Sequence, residues 1–198
     1  MSPVTHFLTG WLLANCSDTS NRRDRALITL CAVAPDVDGL GIIADLLTRN
    51  SEHPLSLYSH YHHVLGHNIG FGLLLAMITL GFAARRWTTA TLSILSFHLH
   101  LLCDLLGSRG PDGYQWRIPY LLPFSDKVQL TWGGQWELNA WPNFVITGVA
   151  LVILFLLAWK RGNSPLEMIS ASANRAFVEA LRRRFPVQLE PLGILVAW

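Results

Sequence analysis

Long uncharged runs dominate the hydrophobic pattern. Residues 69 to 84 (IGFGLLLAMITLGFAA) and 144 to 159 (FVITGVALVILFLLAW) carry no charge, and each would rise about 24 Å as a helix, near the ~30 Å hydrocarbon core of a bilayer. They predict membrane-spanning helices. Trp87, Trp141 and Trp159 lie at their ends, where an amphipathic indole favours the headgroup layer and anchors a slightly short helix. A third run, 88 to 107 (TTATLSILSFHLHLLCDLLG), carries His98, His100 and Asp104 in its second half. An ionised side chain facing lipid costs about 3 kcal/mol or more, so this helix is expected to turn them toward protein or a wet cavity. Stretches 4 to 16 and 26 to 35 are too short to span alone, and Pro35 closes the second; they predict shorter helices packed against the spans. After Arg161 the pattern becomes amphipathic over 165 to 184, with Met168, Ala171, Phe177, Ala180 and Leu181 roughly on one face, as in a cytoplasmic surface helix. Its triple-arginine end suits either solvent or anionic headgroups. The final PLGILVAW is expected to pack on the domain or insert shallowly.

Composition agrees: 51% hydrophobic residues over 198 positions and a mean hydropathy of +0.33 are too apolar for an ordinary soluble domain. The fold class is all-α, a multi-pass helical membrane protein forming a compact bundle with a metal site at one end. Residues 1–161 form the membrane-embedded domain, with 108–143 as a lid-like insertion, and 162–198 a cytoplasmic helix and tail. A net charge of only +2 disfavours nucleic acid. Alternating helices place 11 of the 15 basic residues on one side: Arg22, Arg23, Arg25, Arg85, Arg86, Lys160, Arg161, Arg175 and Arg182 to Arg184. By the positive-inside rule that side is cytoplasmic. The other end then gathers His6, Asp36, Asp38, His62, His67, His100 and Asp104. Cys16, Cys31 and Cys103 lack a CxxC spacing and read as packing residues. The N-terminus shows no basic n-region or small-residue cleavage site, so insertion is expected to rely on the spans themselves.

Those seven residues are metal-ligand types. Asp36 and Asp38 flank one residue between Pro35 and Gly39, a segment that cannot continue a regular helix and can aim carboxylates at an ion, although a turn or cap uses Asp too. His100 and Asp104 are four apart and share a helix face. His98 points about 200° from His100 and suits a hydrogen bond to a neighbouring helix. His62 and His67 converge only if a helix begins between them, a junction that Gly66 and Asn68 permit. His60 and His63 crowd the same stretch, and His53 sits in a polar loop. Mixed nitrogen and oxygen donors suit Zn²⁺ best, with Mn²⁺ or Fe²⁺ as alternatives, in roughly one to three ions. Such a centre activates water toward phosphoesters, with Asp38 or Asp36 as catalytic carboxylates. The insertion is rich in Trp, Tyr, Gly and Pro; it predicts an interfacial lid whose Arg109, Arg117 and Lys127, with His63, bind an anionic headgroup. A small structural hairpin over the helix ends is the competing account. Glu137 and Asn139 are candidates to support the ligands.

In order and spacing these motifs, TH at His6, APDVDG at Asp36 and Asp38, HHVLGHN from His62 to Asn68, and HLLCDLLGSRG from His100 with a later LLPFSDK, resemble the membrane-bound metal-dependent hydrolase family of inner-membrane-associated, LexA-binding hydrolases. The resemblance spans roughly residues 1 to 130. His63 stands where the family has Arg, Gly66 and Asn68 where it has Thr and Ser, and Gly39 where a His often follows the second Asp. The ligand skeleton is also distantly similar to the helical zinc phospholipase C and nuclease fold. The resemblance implies a bacterial inner-membrane hydrolase that meets membrane lipids and takes a small-molecule or lipid-linked phosphoester on the extracytoplasmic face. Its LexA-binding label implies a cytoplasmic protein partner for the C-terminal helix. The alternative is a membrane protein with a structural metal site and a regulatory or protein-binding role.

Overall fold

The computed structural model describes residues 1–16, 21–110 and 113–186; the terminal PLGILVAW lies outside them. Eight α-helices occur among the described residues: α1 Pro3–Ala14, α2 Arg22–Cys31, α3 Gly41–Thr48, α4 Leu57–Tyr61, α5 Ile69–Phe82, α6 Arg86–Gly107, α7 Trp141–Arg161 and α8 Ala171–Arg184. A 3-10 segment, Ala34–Leu40, leads into α3. The fold is all-α. Met1–Leu154 forms one compact unit and Phe155–Trp198 a second.

Local sequence sets the helix limits. Ser2 and Asn21 cap α1 and α2 by accepting the backbone N–H of Thr5 and Asp24, satisfying donors that a helix start leaves free. Asn68 does the same for α5 through Phe71 N at 2.9 Å. α5 is only 14 residues because the backbone turns extended at Ala83, about 21 Å at 1.5 Å per residue, shorter than the uncharged run that contains it. The helices long and apolar enough to span are α6 and α7, and α2 with the segment Ala34–Thr48, bent by 49°, makes a third candidate. An uncharged run measures composition, whereas caps and the extended backbone at Ala83 decide where the helix stops.

α6 is apolar outside and polar inside. Its buried positions include Thr89, Ser93, Ser96, Phe97, His100, Asp104 and Gly107, a stripe at helical spacing, whereas Leu95 and Leu102 are exposed. α1, α2 and α5 pack against it. Small residues allow this closeness, as expected for helices packing in lipid: a Cβ on Gly10 would touch Ala32 and lie 3.2 Å from Thr29 O and 3.3 Å from Ser96 Oγ, and one on Gly72 would press on the Phe97 ring. Thr79 Oγ1 donates to Ser93 Oγ at 3.3 Å, joining α5 to α6. At the far end the buried Asp24 carboxylate accepts the N–H groups of Ala84 and Arg85 at 2.8 and 3.0 Å, fixing the turn between α5 and α6.

Between α6 and α7 the described residues of 108–140 form no helix. Ile118 and Leu130 exchange two backbone hydrogen bonds, and the Tyr120 and Leu122 carbonyls accept the free N–H groups of Ile69 and Gly70. Ile118 also joins Phe97 and Leu101 in the core. Asn143 in α7 donates to Gly107 O at 2.9 Å, and Thr147 meets Thr5 of α1 at 2.8 Å. In the second unit Arg182 Nε donates to Trp159 O and Asn174 Nδ2 to Gly162 O, both at 2.9 Å. Of the cysteines, Cys31 and Cys103 pack inside as expected, but Cys16 is exposed beyond the end of α1.

Replacing Gly10 with Val forces atoms into the junction of α1, α2 and α6. We expect a stability loss of about 1–3 kcal/mol, read as a lower thermal midpoint in detergent; an unchanged midpoint would show that the junction has slack.

Candidate metal centre

Four stretches of chain meet at one end of the first unit: the first turn of α1, the 3-10 segment after α2, the connection from α4 to α5, and the last two turns of α6. Asp104 lies at their centre with its carboxylate 2% exposed. His6 Nε2 is 3.1 Å from its Oδ1, and the α-amino group of Met1 contacts the same oxygen. Around Oδ2 stand His100 Nε2 at 3.0 Å, His67 Nε2 at 3.4 Å and His63 Nε2 at 4.0 Å. Yet Oδ2 has no hydrogen bond. Three imidazole nitrogens surround an oxygen that receives no proton from them.

The 3-10 segment explains why Asp36 and Asp38 part company. At about three residues per turn, positions two apart point to different faces. Asp36 Oδ1 faces His100 Nε2 at 3.8 Å, and its Oδ2 is buried without a partner. Asp38 faces the α4–α5 connection, where both its oxygens are engaged. Oδ1 accepts from His62 Nδ1 at 2.8 Å, and Oδ2 from Gly66 N at 2.9 Å and His67 Nδ1 at 3.1 Å. Gly66 is required for this approach, since a Cβ there would lie 2.8 Å from Pro35 Cα.

The connection is not helical. α4 ends at Tyr61 and α5 begins at Ile69, so the helix starts after His67 rather than between His62 and His67, and the turns themselves bring both rings to Asp38. His63 has φ 66°, a left-handed conformation uncommon for a side-chain-bearing residue, of the kind that clusters at functional sites.

Tautomers follow from the partners. His100 Nδ1 lies 2.7 Å from Ala32 O, a carbonyl that can only accept, so Nδ1 carries the proton and Nε2 offers a lone pair to the centre. His67 Nδ1–H donates to Asp38, and its Nε2 is 3.0 Å from His100 Nε2. In the metal-free state a proton on His67 Nε2 bridges the two rings, which makes His67 an imidazolium. Burial alone would lower its pKa, but the neighbouring Asp104 and Asp38 carboxylates outweigh that and raise it to about 9. Burial pulls His63 well below the usual imidazole range. Tyr58, stacked on His62 at 4.5 Å, is pushed up by burial and by Asp36, Asp38 and Asp104, and stays a neutral phenol.

Donor atoms converge in two groups, His6, Asp36, His100 and Asp104, and His63, His67 and Asp104, each within 4.8 Å. Ligands about 2.0–2.2 Å from one ion lie about 3.0–3.5 Å apart, the range of the His6–Asp104 and His100–Asp104 separations. The buried atoms left unpaired include Asp36 Oδ2, Asp104 Oδ2, His6 Nδ1 and His63 Nδ1. A buried carboxylate oxygen without a partner costs several kcal/mol, and a cation would remove that cost. The residues fit a divalent metal.

A cavity of about 270 Å³ opens onto the cluster, lined by Met1, Pro3, Asp36, Gly39, Leu40, Tyr58, His62, His63, Asp104, Ser108, Trp116 and Leu138. Of the expected site residues, His6, Asp36, His63, His67, His100 and Asp104 supply the converging donors, whereas Asp38 and His62 stand behind them, Asp38 orienting rings through their Nδ1 atoms. Arg109, Arg117 and Lys127 do not line the cavity: Arg117 and Lys127 are exposed, and Arg109 Nη2 reaches Gly133 O at 3.3 Å. His60 bonds Ser56 O and His53 is exposed. His98 bonds Ile94 O and, at 2.8 Å, Tyr120 OH in the insertion, not a neighbouring helix. Glu137 and Asn139 are exposed; Gln135 takes the supporting place, donating to Asp104 O at 2.9 Å. Tyr58, Trp116 and Gln135 carried no motif in the sequence, since only the folded insertion and the α4 turn bring them here.

An all-α protein with two to three candidate spans and a buried His/Asp cluster that could hold a metal ion defines the class. The chain belongs to the YdjM inner membrane protein family, which it matches over residues 1–181. No curated protein and no solved structure matches it.

A metal held by His67 would have to displace its Nε2 proton. Because its pKa is raised to about 9, the metal-free fold gains stability from His67 that is full below pH ~6.5 and is lost as pH rises through about 9. Metal binding at pH 7 is expected to release a proton and to tighten with rising pH, measured by calorimetry in buffers of different ionisation enthalpy; buffer-independent heats would contradict it. In the same assay Asp38→Asn, which can no longer serve three N–H donors, should weaken binding about 10–100-fold.

Proposed function

We propose that this protein is a membrane-bound, metal-dependent hydrolase of phosphoesters carried by a lipid or lipid-linked substrate, working from the extracytoplasmic face. The observation that carries the reading is the cavity on the cluster: a structural metal site is closed, whereas a hydrolytic one keeps an open position beside room for substrate. Zn²⁺ suits the nitrogen and oxygen donors best, with Mn²⁺ or Fe²⁺ as alternatives. Such an ion supplies the chemistry by lowering the pKa of water towards 7 and drawing charge from the phosphoryl oxygens.

The side chains divide the remaining work. Asp36 lines the cavity, so it is the carboxylate placed to accept the proton of an attacking water through whichever oxygen it does not give to an ion; Asp38, with both oxygens engaged, orients His62 and His67 instead. Tyr58 offers a phenol donor to a phosphoester oxygen. Trp116, with its ring centroid 5.4 Å from His62 and 5.0 Å from His63, closes the cavity from the insertion and limits water, the role of a lid. Arg109 follows the lining Ser108 and, with Arg117 and Lys127, meets the headgroup outside the cavity.

The size of the cavity bears on the substrate. About 270 Å³ holds a headgroup and not its acyl chains. At the rim Leu40 and Leu138 are exposed, and so are Ile42, Ile43, Leu46 and Leu47 on the adjoining α3. A tail can lie along this apolar edge while the phosphoester enters. The basic-residue bias supports an outward-facing site.

Purified protein should hydrolyse a chromogenic phosphodiester or phospholipid vesicles, lose activity to a chelator and regain it with Zn²⁺ or Mn²⁺. His100→Ala should cost more than the ~10–100-fold that a supporting residue costs. Absence of phosphoester hydrolysis in metal-loaded protein, or activity indifferent to both chelator and His100→Ala, would overturn the assignment.

A further inference from the structure

We infer that the centre holds two divalent cations bridged by the carboxylate of Asp104. The inference rests on the metal-dependent reading above and adds the number of ions and their division among the ligands.

Three observations lead to it. The converging donors form two groups rather than one, and Asp104 is the member they share. Its oxygens face different partners: Oδ1 meets His6 at 3.1 Å, whereas Oδ2 is approached by His67 at 3.4 Å and His63 at 4.0 Å, with His100, a member of the first group, also beside it at 3.0 Å. Carboxylate oxygens are about 2.2 Å apart, and a carboxylate giving one oxygen to each ion sets the ~3.5–4 Å separation typical of two-metal hydrolytic sites. Second, each group keeps a buried carboxylate oxygen without a hydrogen bond, Asp36 Oδ2 in the first and Asp104 Oδ2, next to His63 and His67, in the second. One ion in the first group would leave His63 and His67 facing the shared carboxylate with no cation of their own.

Charge is the third. The cavity has no lysine or arginine among its lining residues, yet an anionic phosphoester needs a positive site. Asp36, Asp38 and Asp104 together bring three negative charges, and metal-ligating imidazoles are neutral. One dication leaves these side chains net negative, and the α-amino group of Met1 brings them only to neutrality. Two dications make the site positive without any basic side chain. The first ion takes His6, Asp36 and His100, the second His63 and His67, and Asp104 holds both.

The test uses full-length protein in detergent, stripped by chelator and titrated with Mn²⁺, followed by metal analysis and low-temperature electron paramagnetic resonance. We expect about two ions per chain and an exchange-coupled spectrum, as for ions ~3.5–4 Å apart. His6→Gln and His63→Gln each remove a donor from one group alone, and each should leave about one ion and an isolated Mn²⁺ signal. Saturation at one ion, or two ions without coupling, overturns the bridged pair whatever the variants do. One ion with phosphoester hydrolysis intact removes this inference and leaves the hydrolase; two coupled ions with no hydrolysis remove the hydrolase and leave the pair.

Discussion

The fold of the first unit depends on keeping the Asp104 charge out of lipid. A carboxylate 2% exposed on a helix otherwise fit to span a membrane costs several kcal/mol unless cationic or hydrogen-bonding groups surround it. The chain brings partners from three separate segments to meet that demand. Met1 and His6 arrive with α1, His63 and His67 on a non-helical connection, and His100 one turn back on α6 itself.

That requirement shapes the bundle. α6 turns its polar stripe inward, and α1, α2 and α5 cover it, with Gly10 and Gly72 permitting close approach. Polar residues tie both ends: Asp24 holds the α5–α6 turn, and Asn143 and Gln135 fasten the insertion and α7 to the last turn of α6. The candidate donors therefore stand on packed elements, as a precise metal geometry would need. The exception is the His62–His67 connection, whose unusual backbone is held by Asp38 and by contact between Gly66 and Pro35.

This arrangement separates two tasks that adjacent residues share in the sequence. Asp36 faces the cavity with an oxygen free; Asp38, two positions on, spends both oxygens on rings and a backbone N–H. The difference follows from the 3-10 turn between them. Similarly, His62 and His63 are neighbours, but a left-handed residue swings the second ring towards Asp104 while the first remains on Asp38. Exposed apolar residues, Leu40 and Leu138 among them, rim the donor-rich cavity.

Much of this was legible in the sequence. The uncharged runs gave an all-α membrane architecture because a bilayer leaves few ways to satisfy the backbone, and the i, i+4 pair His100 and Asp104 had to share a face. The span lengths were less legible: the 69 to 84 run contains a helix that starts at its first residue but that Ala83 ends early, whereas the run holding His100 and Asp104 is full length because its polar face is covered. Arg109, Arg117 and Lys127 suggested a binding role by charge, but placement in the insertion depends on which backbone strands of it pair. The sequence by itself determined which residues can bind metal and that lipid cannot surround them, because those are properties of side chains and of local period. Only the tertiary structure decided which donors converge, which carboxylate orients rings instead, and that an open cavity lies beside them, because each depends on distances between segments that no local spacing sets.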